Sequence, residues 1–167
     1  MSDAQIGAVV ETMNRNGVRY VIIGGVASQL HGAPIARTYD IDIVPDRAGP
    51  NLDALARALE EMHARLWVGL DEPRGLTMVF DRTTLGNIQH FLNLVTDHGP
   101  LDITYMPDGT QGYPDLRRSL VVIKVGAVDA PVAALEDVIR SKEAAGRVKD
   151  LDAVPKLQRF LKLRRKP

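Results

Sequence analysis

The 167-residue sequence contains no cysteine, which excludes both a disulfide framework and a thiolate metal site. No apolar run approaches the roughly 20 residues that a bilayer-spanning helix needs. The start, Met1-Ser2-Asp3-Ala4-Gln5, lacks the basic opening and apolar stretch of a signal peptide. The expected location is the cytoplasm, with no membrane partner. Net charge is missing too: 21 basic residues balance 21 acidic ones, so the molecule as a whole offers nucleic acid no attraction. Internal repeats and low-complexity segments are absent. What is present, 45% hydrophobic and 25% charged residues, suits one soluble domain spanning 1–167 that buries a full core. Charge is uneven only at the end. From Lys149 to Pro167, seven basic residues (Lys149, Lys156, Arg159, Lys162, Arg164, Arg165, Lys166) face two acids (Asp150, Asp152), as either a solvated helix face with a tail or an RNA-contacting patch.

Periodicity predicts a first helix over 3–16, capped by Ser2 and carrying Ile6, Val9, Val10 and Met13 on one side. A short buried strand follows over 19–23, then a Gly24-Gly25 turn, a brief helix over 26–30 and a strand over 38–44. Asn51 is expected to cap a helix over 52–65. Strands are expected over 77–80, 88–95, 101–105 and 120–125, the last pairing with a strand near Val132. Asp108-Gly109 and Gly112-Tyr113-Pro114 read as loop, and helices over 135–145 and 149–162 close the chain. Strands interrupted by helices, with several hairpin-length connections, argue for an α/β (α+β) fold: a mixed sheet flanked by helices.

Chemistry concentrates at Asp40-Ile41-Asp42. Side chains two apart on a strand point the same way, so both carboxylates face one point and can share a divalent metal. The pair alone is a weak signal, because Asp-x-Asp is common on solvated strand faces. Upstream, the Gly24-Gly25 turn offers bare backbone N–H groups that suit a phosphate. Downstream, Asp102 interrupts an apolar strand, where it must reach water, a partner or a metal, or else cap the Gly99-Pro100 turn. Metal beside phosphate suggests phosphoryl or nucleotidyl transfer. Ser28 could add a hydroxyl or be a plain helix-surface serine. Arg37 could meet a phosphate or neutralise the acids. His31 reads as a helix-end residue, and His63, His90 and His98 are too scattered for a metal triad.

Three segments, Tyr20-Val21-Ile22-Ile23-Gly24-Gly25, Arg37-Thr38-Tyr39-Asp40-Ile41-Asp42-Ile43 and Leu101-Asp102-Ile103-Thr104, resemble the nucleotidyltransferase superfamily with the polymerase-beta-like catalytic core. The stretch Ser141-Lys142-Glu143-Ala144-Ala145-Gly146-Arg147-Val148-Lys149-Asp150-Leu151 is similar to the C-terminal motif of bacterial toxin-type nucleotidyltransferases of the AbiEii kind. One departure is the gap of fourteen residues, 26 to 39, between the glycines and Asp40, long for the family. The resemblance implies a nucleotidyltransferase fold with a catalytic core over about 18–106 and two C-terminal helices over about 134–163. It implies transfer of a nucleoside monophosphate from a nucleoside triphosphate to a hydroxyl, dependent on Mg2+, with Mn2+ able to replace it, in a two-metal site. Asp40, Asp42 and Asp102 would be catalytic and hold metal, Asp102 helping to deprotonate the acceptor. Gly24, Gly25, Ser28, Arg37, Lys142 and Arg147 would bind nucleotide, with Asp150 in support. The implied acceptor is tRNA or another RNA, with a cognate antitoxin as a further partner. A small hydroxylated molecule such as an antibiotic is the alternative acceptor, and a non-catalytic antitoxin-like binding partner is the rival class.

Overall fold

The computed structural model describes residues 1–164, so Arg165 and Lys166 of the basic end lie outside the described residues. The chain begins with α1 (Asp3–Arg15), where Ser2 and Gln5 satisfy each other's backbone N–H groups in a capping box, and Ile6, Val9, Val10 and Met13 are buried. Then come β1 (Tyr20–Ile23), α2 (Gly24–Leu30), β2 (Ile41–Pro45), α3 (Gly49–Glu61), β3 (Arg65–Leu66), α4 (Arg82–Asn87) and β4 (Phe91–Thr96). The remainder is β5 (Gly99–Thr104), α5 (Tyr113–Leu116), β6 (Val121–Val125), β7 (Val128–Val132), α6 (Leu135–Ala145) and α7 (Val148–Arg164).

The seven strands among the described residues form one mixed sheet in the order β3-β4-β5-β2-β1-β7-β6. The β2–β5 and β1–β7 pairs are parallel and the other four antiparallel. β1 is buried along its whole length, as its run Tyr-Val-Ile-Ile requires of a strand covered on both faces. Ile22, Ile41, Ile43, Leu94, Leu101 and Ile103 from the central strands are fully buried with Leu55 and Leu59 of α3. Each contributes about 1.5–3 kcal/mol of burial free energy. α1 packs on β6, β7 and α3, whereas α2 packs on β1, β2 and α6, and α7 packs on α6.

The structure departs from the sequence expectations where local signals compete with tertiary ones. Asn51 does not cap α3, whose N-cap is Ala48. Its amide is buried instead, accepting from Arg19 N at 2.6 Å and donating to Arg19 O and Asp46 O at 3.0 and 2.8 Å, which ties the start of β1 to the end of β2. Residues 77–80 form no strand, since only Leu76 finds a partner, in a bridge to Leu66. α4 occupies the stretch between the strands expected over 77–80 and 88–95. Asp81 caps it by accepting from Thr84 N at 2.7 Å, and the buried Tyr105 hydroxyl donates to Leu85 O at 3.0 Å. β2 begins at Ile41, so Asp40 lies in a bend just before the strand rather than within it.

Candidate active site

Strand register builds the site. Asp42 on β2 lies opposite Ile23 on β1 and beside Asp102 on the parallel strand β5, which in turn faces Asn93 on β4. One row across the middle of the sheet thus carries two carboxylates and an amide. Asp40 approaches from the bend, its Oδ1 accepting a hydrogen bond from the Thr38 hydroxyl. Oxygens of Asp40, Asp42 and Asp102 all lie within 4.8 Å of one another. Three half-buried carboxylates so close repel unless a cation sits among them, and an all-oxygen donor set suits a hard ion such as Mg2+ or Mn2+.

That strain shows in their acidity. The Asp42 carboxyl is pushed up to about 7, first by burial and then by the charges of Asp40 and Asp102, against the pull of Lys142 and Lys149. Asp102 is also raised, by burial foremost and by Asp40, while the Asn93 hydrogen bond and Lys149 oppose the shift. A bound divalent ion would reverse both shifts, since it stabilises the ionised carboxylates.

The glycine pair makes this packing possible. Gly24 opens α2 at φ 73°, and a Cβ there would lie 2.1 Å from Asp42 Oδ2. At Gly25 a Cβ would meet Thr38 Cβ at 2.8 Å. Only two residues without side chains let the first turn of α2 press against the carboxylates and the loop that carries Asp40.

An open cleft of about 830 Å³ surrounds the three carboxylates, and Gly24, Gly25, Arg37, Lys142 and Arg147 also line it. Ser28 does not: it is fully buried, and its hydroxyl donates to Gly24 O at 3.1 Å, bracing α2 from beneath. Lys142 reaches the cleft with its ammonium 2.7 Å from Asp150 Oδ1, and Arg147 Nε lies 2.5 Å from the other oxygen of that carboxylate. Asp150 is buried, and its carboxyl is held below the usual range by those two cations, which outweigh the opposing effect of burial. His31 ends α2 with its Nε2 2.9 Å from Ala133 O.

Sequence reasoning singled out no role for Lys149, Asn93, Thr38 or Phe91, all of which line the cleft. Asn93 was recoverable. The hairpin that pairs Thr96 with Gly99 across Asp97-His98 sets Asn93 opposite Asp102 by counting back three residues on each side. Lys149 was marked by its places in the C-terminal motif and the basic run, neither of which points to the cleft.

Among solved structures, the chain is similar to the antibiotic-resistance factor ANT(2'')-Ia in solution, at TM-score 0.58 and 14% identity over 95% of this chain and 83% of that one. It is similar to a putative nucleotidyltransferase from Thermotoga maritima, at TM-score 0.56 and 18% identity over 94% of this chain and 90% of that one. It is also similar to the lincosamide antibiotic adenylyltransferase LnuA with lincomycin bound, at TM-score 0.64 and 13% identity over 95% of this chain and 97% of that one. The fold is that of the nucleotidyltransferases. No family model and no curated protein matches the sequence. Within this nucleotidyltransferase fold, no helix among the described residues is long and apolar enough to cross a membrane.

Proposed function

We propose that the protein transfers a nucleoside monophosphate from a nucleoside triphosphate to a hydroxyl group of a small molecule, releasing pyrophosphate. The observation that carries this reading is the convergence of Asp40, Asp42 and Asp102 within 4.8 Å in a cleft that also holds Lys142 and Lys149. Asp40, Asp42 and Asp102 would hold Mg2+ or Mn2+, which would neutralise triphosphate charge and acidify the acceptor hydroxyl. Asp102 is placed to accept the acceptor's proton, and Asn93 keeps its carboxylate oriented. Lys149, the ammonium donors of Lys142 not spent on Asp150, and the exposed Arg37 meet the charge on the triphosphate. Gly24 and Gly25 bring bare backbone to the same side.

Two of the similar structures, by their names an antibiotic-resistance factor and an antibiotic adenylyltransferase, support a small acceptor. A toxin-like enzyme that modifies tRNA and is held by an antitoxin is the second reading. It is favoured by the exposed Lys156, Arg159 and Lys162 along α7. Incubation with Mg2+, each of the four α-labelled triphosphates, and either total tRNA or a panel of hydroxylated small molecules tests both. Label on a small molecule, lost in Asp42→Asn, is the expected result. Label on tRNA would move the assignment to the second reading, and no transfer to any acceptor would leave the non-catalytic binding partner.

A further inference from the structure

Toward β4 the cleft changes character. Phe91 pairs with Thr104 across β4 and β5. The pair lies one pleat repeat, about 7 Å, along the strands from Asn93 and Asp102. Phe91 is 65% exposed, Met106, two residues beyond Thr104, is 66% exposed, and Tyr39, next to Asp40, is 83% exposed. All three line the cleft, together with Gln89, His90 and Thr104. Large apolar side chains held in water at the rim of a polar site lose burial free energy that a ligand covering them would restore.

The charges of the cleft are committed elsewhere. Asp40, Asp42 and Asp102 form the triad, and Asp150 is bonded to Lys142 and Arg147, which leaves Asp108 as the remaining acid among the lining residues. No Lys or Arg occurs in 89–93 or 104–106. A polycationic acceptor finds no cluster of free carboxylates there, and a polyanionic one finds only Arg37, beside Tyr39, which the triphosphate engages. Neutral polar groups beside exposed aromatic faces match a flat or apolar ring that carries hydroxyls.

We infer that Phe91, Tyr39 and Met106 form the acceptor subsite, and that the acceptor is an uncharged hydroxylated compound with an aromatic or apolar ring seated on them. This rests on the nucleotidyl-transfer reading of the triad. Seated there, the acceptor presents a hydroxyl toward Asp102. The hydroxyl proton passes to that carboxylate, its oxygen bonds to the α-phosphorus, and pyrophosphate departs with the electrons of the broken P–O bond.

Saturation-transfer NMR with para-nitrophenyl β-glucoside, a neutral aryl glycoside, tests the subsite in the presence of Mg2+ and the α,β-methylene analogue of ATP. Calorimetry follows the analogue itself. Wild type should saturate the probe's aromatic protons. Phe91→Ala should weaken the probe about tenfold, the order expected for one lost ring contact, while binding the analogue as wild type does. Met106→Ala, a second variant at an exposed position, should weaken the probe in the same direction, and circular dichroism verifies both folds. Analogue binding with no glycoside signal, or Phe91→Ala that holds the glycoside as wild type does, overturns the subsite alone. Kanamycin or total tRNA displacing the glycoside and itself requiring Phe91 overturns the uncharged acceptor. Failure of the α,β-methylene analogues of all four nucleoside triphosphates to bind wild type overturns the transfer reading and the subsite with it.

Discussion

Asp42 answers to two opposed demands, and its acidity records both. The folded chain keeps the Asp42 proton up to about 7, whereas the unfolded chain releases it near 3.8. The folded state therefore binds more protons between those values, so the contribution is fully present below 3.8 and is lost as pH rises through about 7. Metal-free protein should melt at lower temperature as the buffer is taken from about pH 5 to about pH 8, and Asp42→Asn should flatten that slope. Calorimetric melts of both proteins without divalent ions check this, and an unchanged slope in the variant would remove Asp42 as its source. Gly24 is the second residue on which the site turns. Gly24→Ala meets both a φ of 73° and the Asp42 carboxylate at 2.1 Å, so α2 and Asp42 must separate. A loss of about 1–3 kcal/mol in denaturant melts, together with loss of metal binding, is expected. The sequence displayed the reason for neither effect: the Gly-Gly pair reads as a phosphate cradle, and its contact with Asp42 exists only once β1 and β2 are paired.

The joint between α6 and α7 shows how an element places a site residue. Gly146 ends α6 in the left-handed conformation at φ 62°, and the chain restarts as α7 two residues later. Asp150 fastens the two helices by accepting from Lys142 of α6 and from Arg147 in the joint, and the same turn presents Lys149 to the cleft. Lys142 is thereby a structural cation as well as a candidate for phosphate binding. Lys142→Ala should cost stability too, contrary to what a solvated lysine would do. Asp150→Ala should cost about 3 kcal/mol, the low end for breaking a buried pair because Arg147 stays largely in water. Its pH dependence is opposite to that of Asp42. With a lowered folded pKa, Asp150 adds stability above its unfolded value of 3.8 and loses it as pH falls through the folded one. Urea melts of Asp150→Ala at neutral and acid pH check both, with the deficit shrinking in acid. The boundaries of α6 were legible because Gly146 and the helical period agree. β3 was not, being two residues long and set by its pairing with β4.

For the molecule as a whole, the sheet order decides what meets. Parallel pairing of β2 with β5 sets Asp42 beside Asp102 although sixty residues separate them, and β4 adds Asn93 and Phe91 to the same open face. The fold class was legible in the alternation of short apolar strands with amphipathic helices, and the carboxylates in their interruption of those strands. Asn93 and Phe91 were not recognised as site residues, because neither is charged and each belongs to the site only through register. A balanced total charge leaves the acidic triad as the principal attraction for a cation in the cleft. Electron paramagnetic resonance of Mn2+ titrated into the protein measures directly whether these three carboxylates hold a divalent ion against a triphosphate. Wild type should show bound Mn2+ whose affinity rises when the α,β-methylene analogue of ATP is added, and Asp42→Asn should bind it far more weakly under both conditions. Equal Mn2+ binding by wild type and Asp42→Asn, or no effect of the α,β-methylene analogue of any of the four triphosphates, would show that the triad does not hold a metal against a triphosphate.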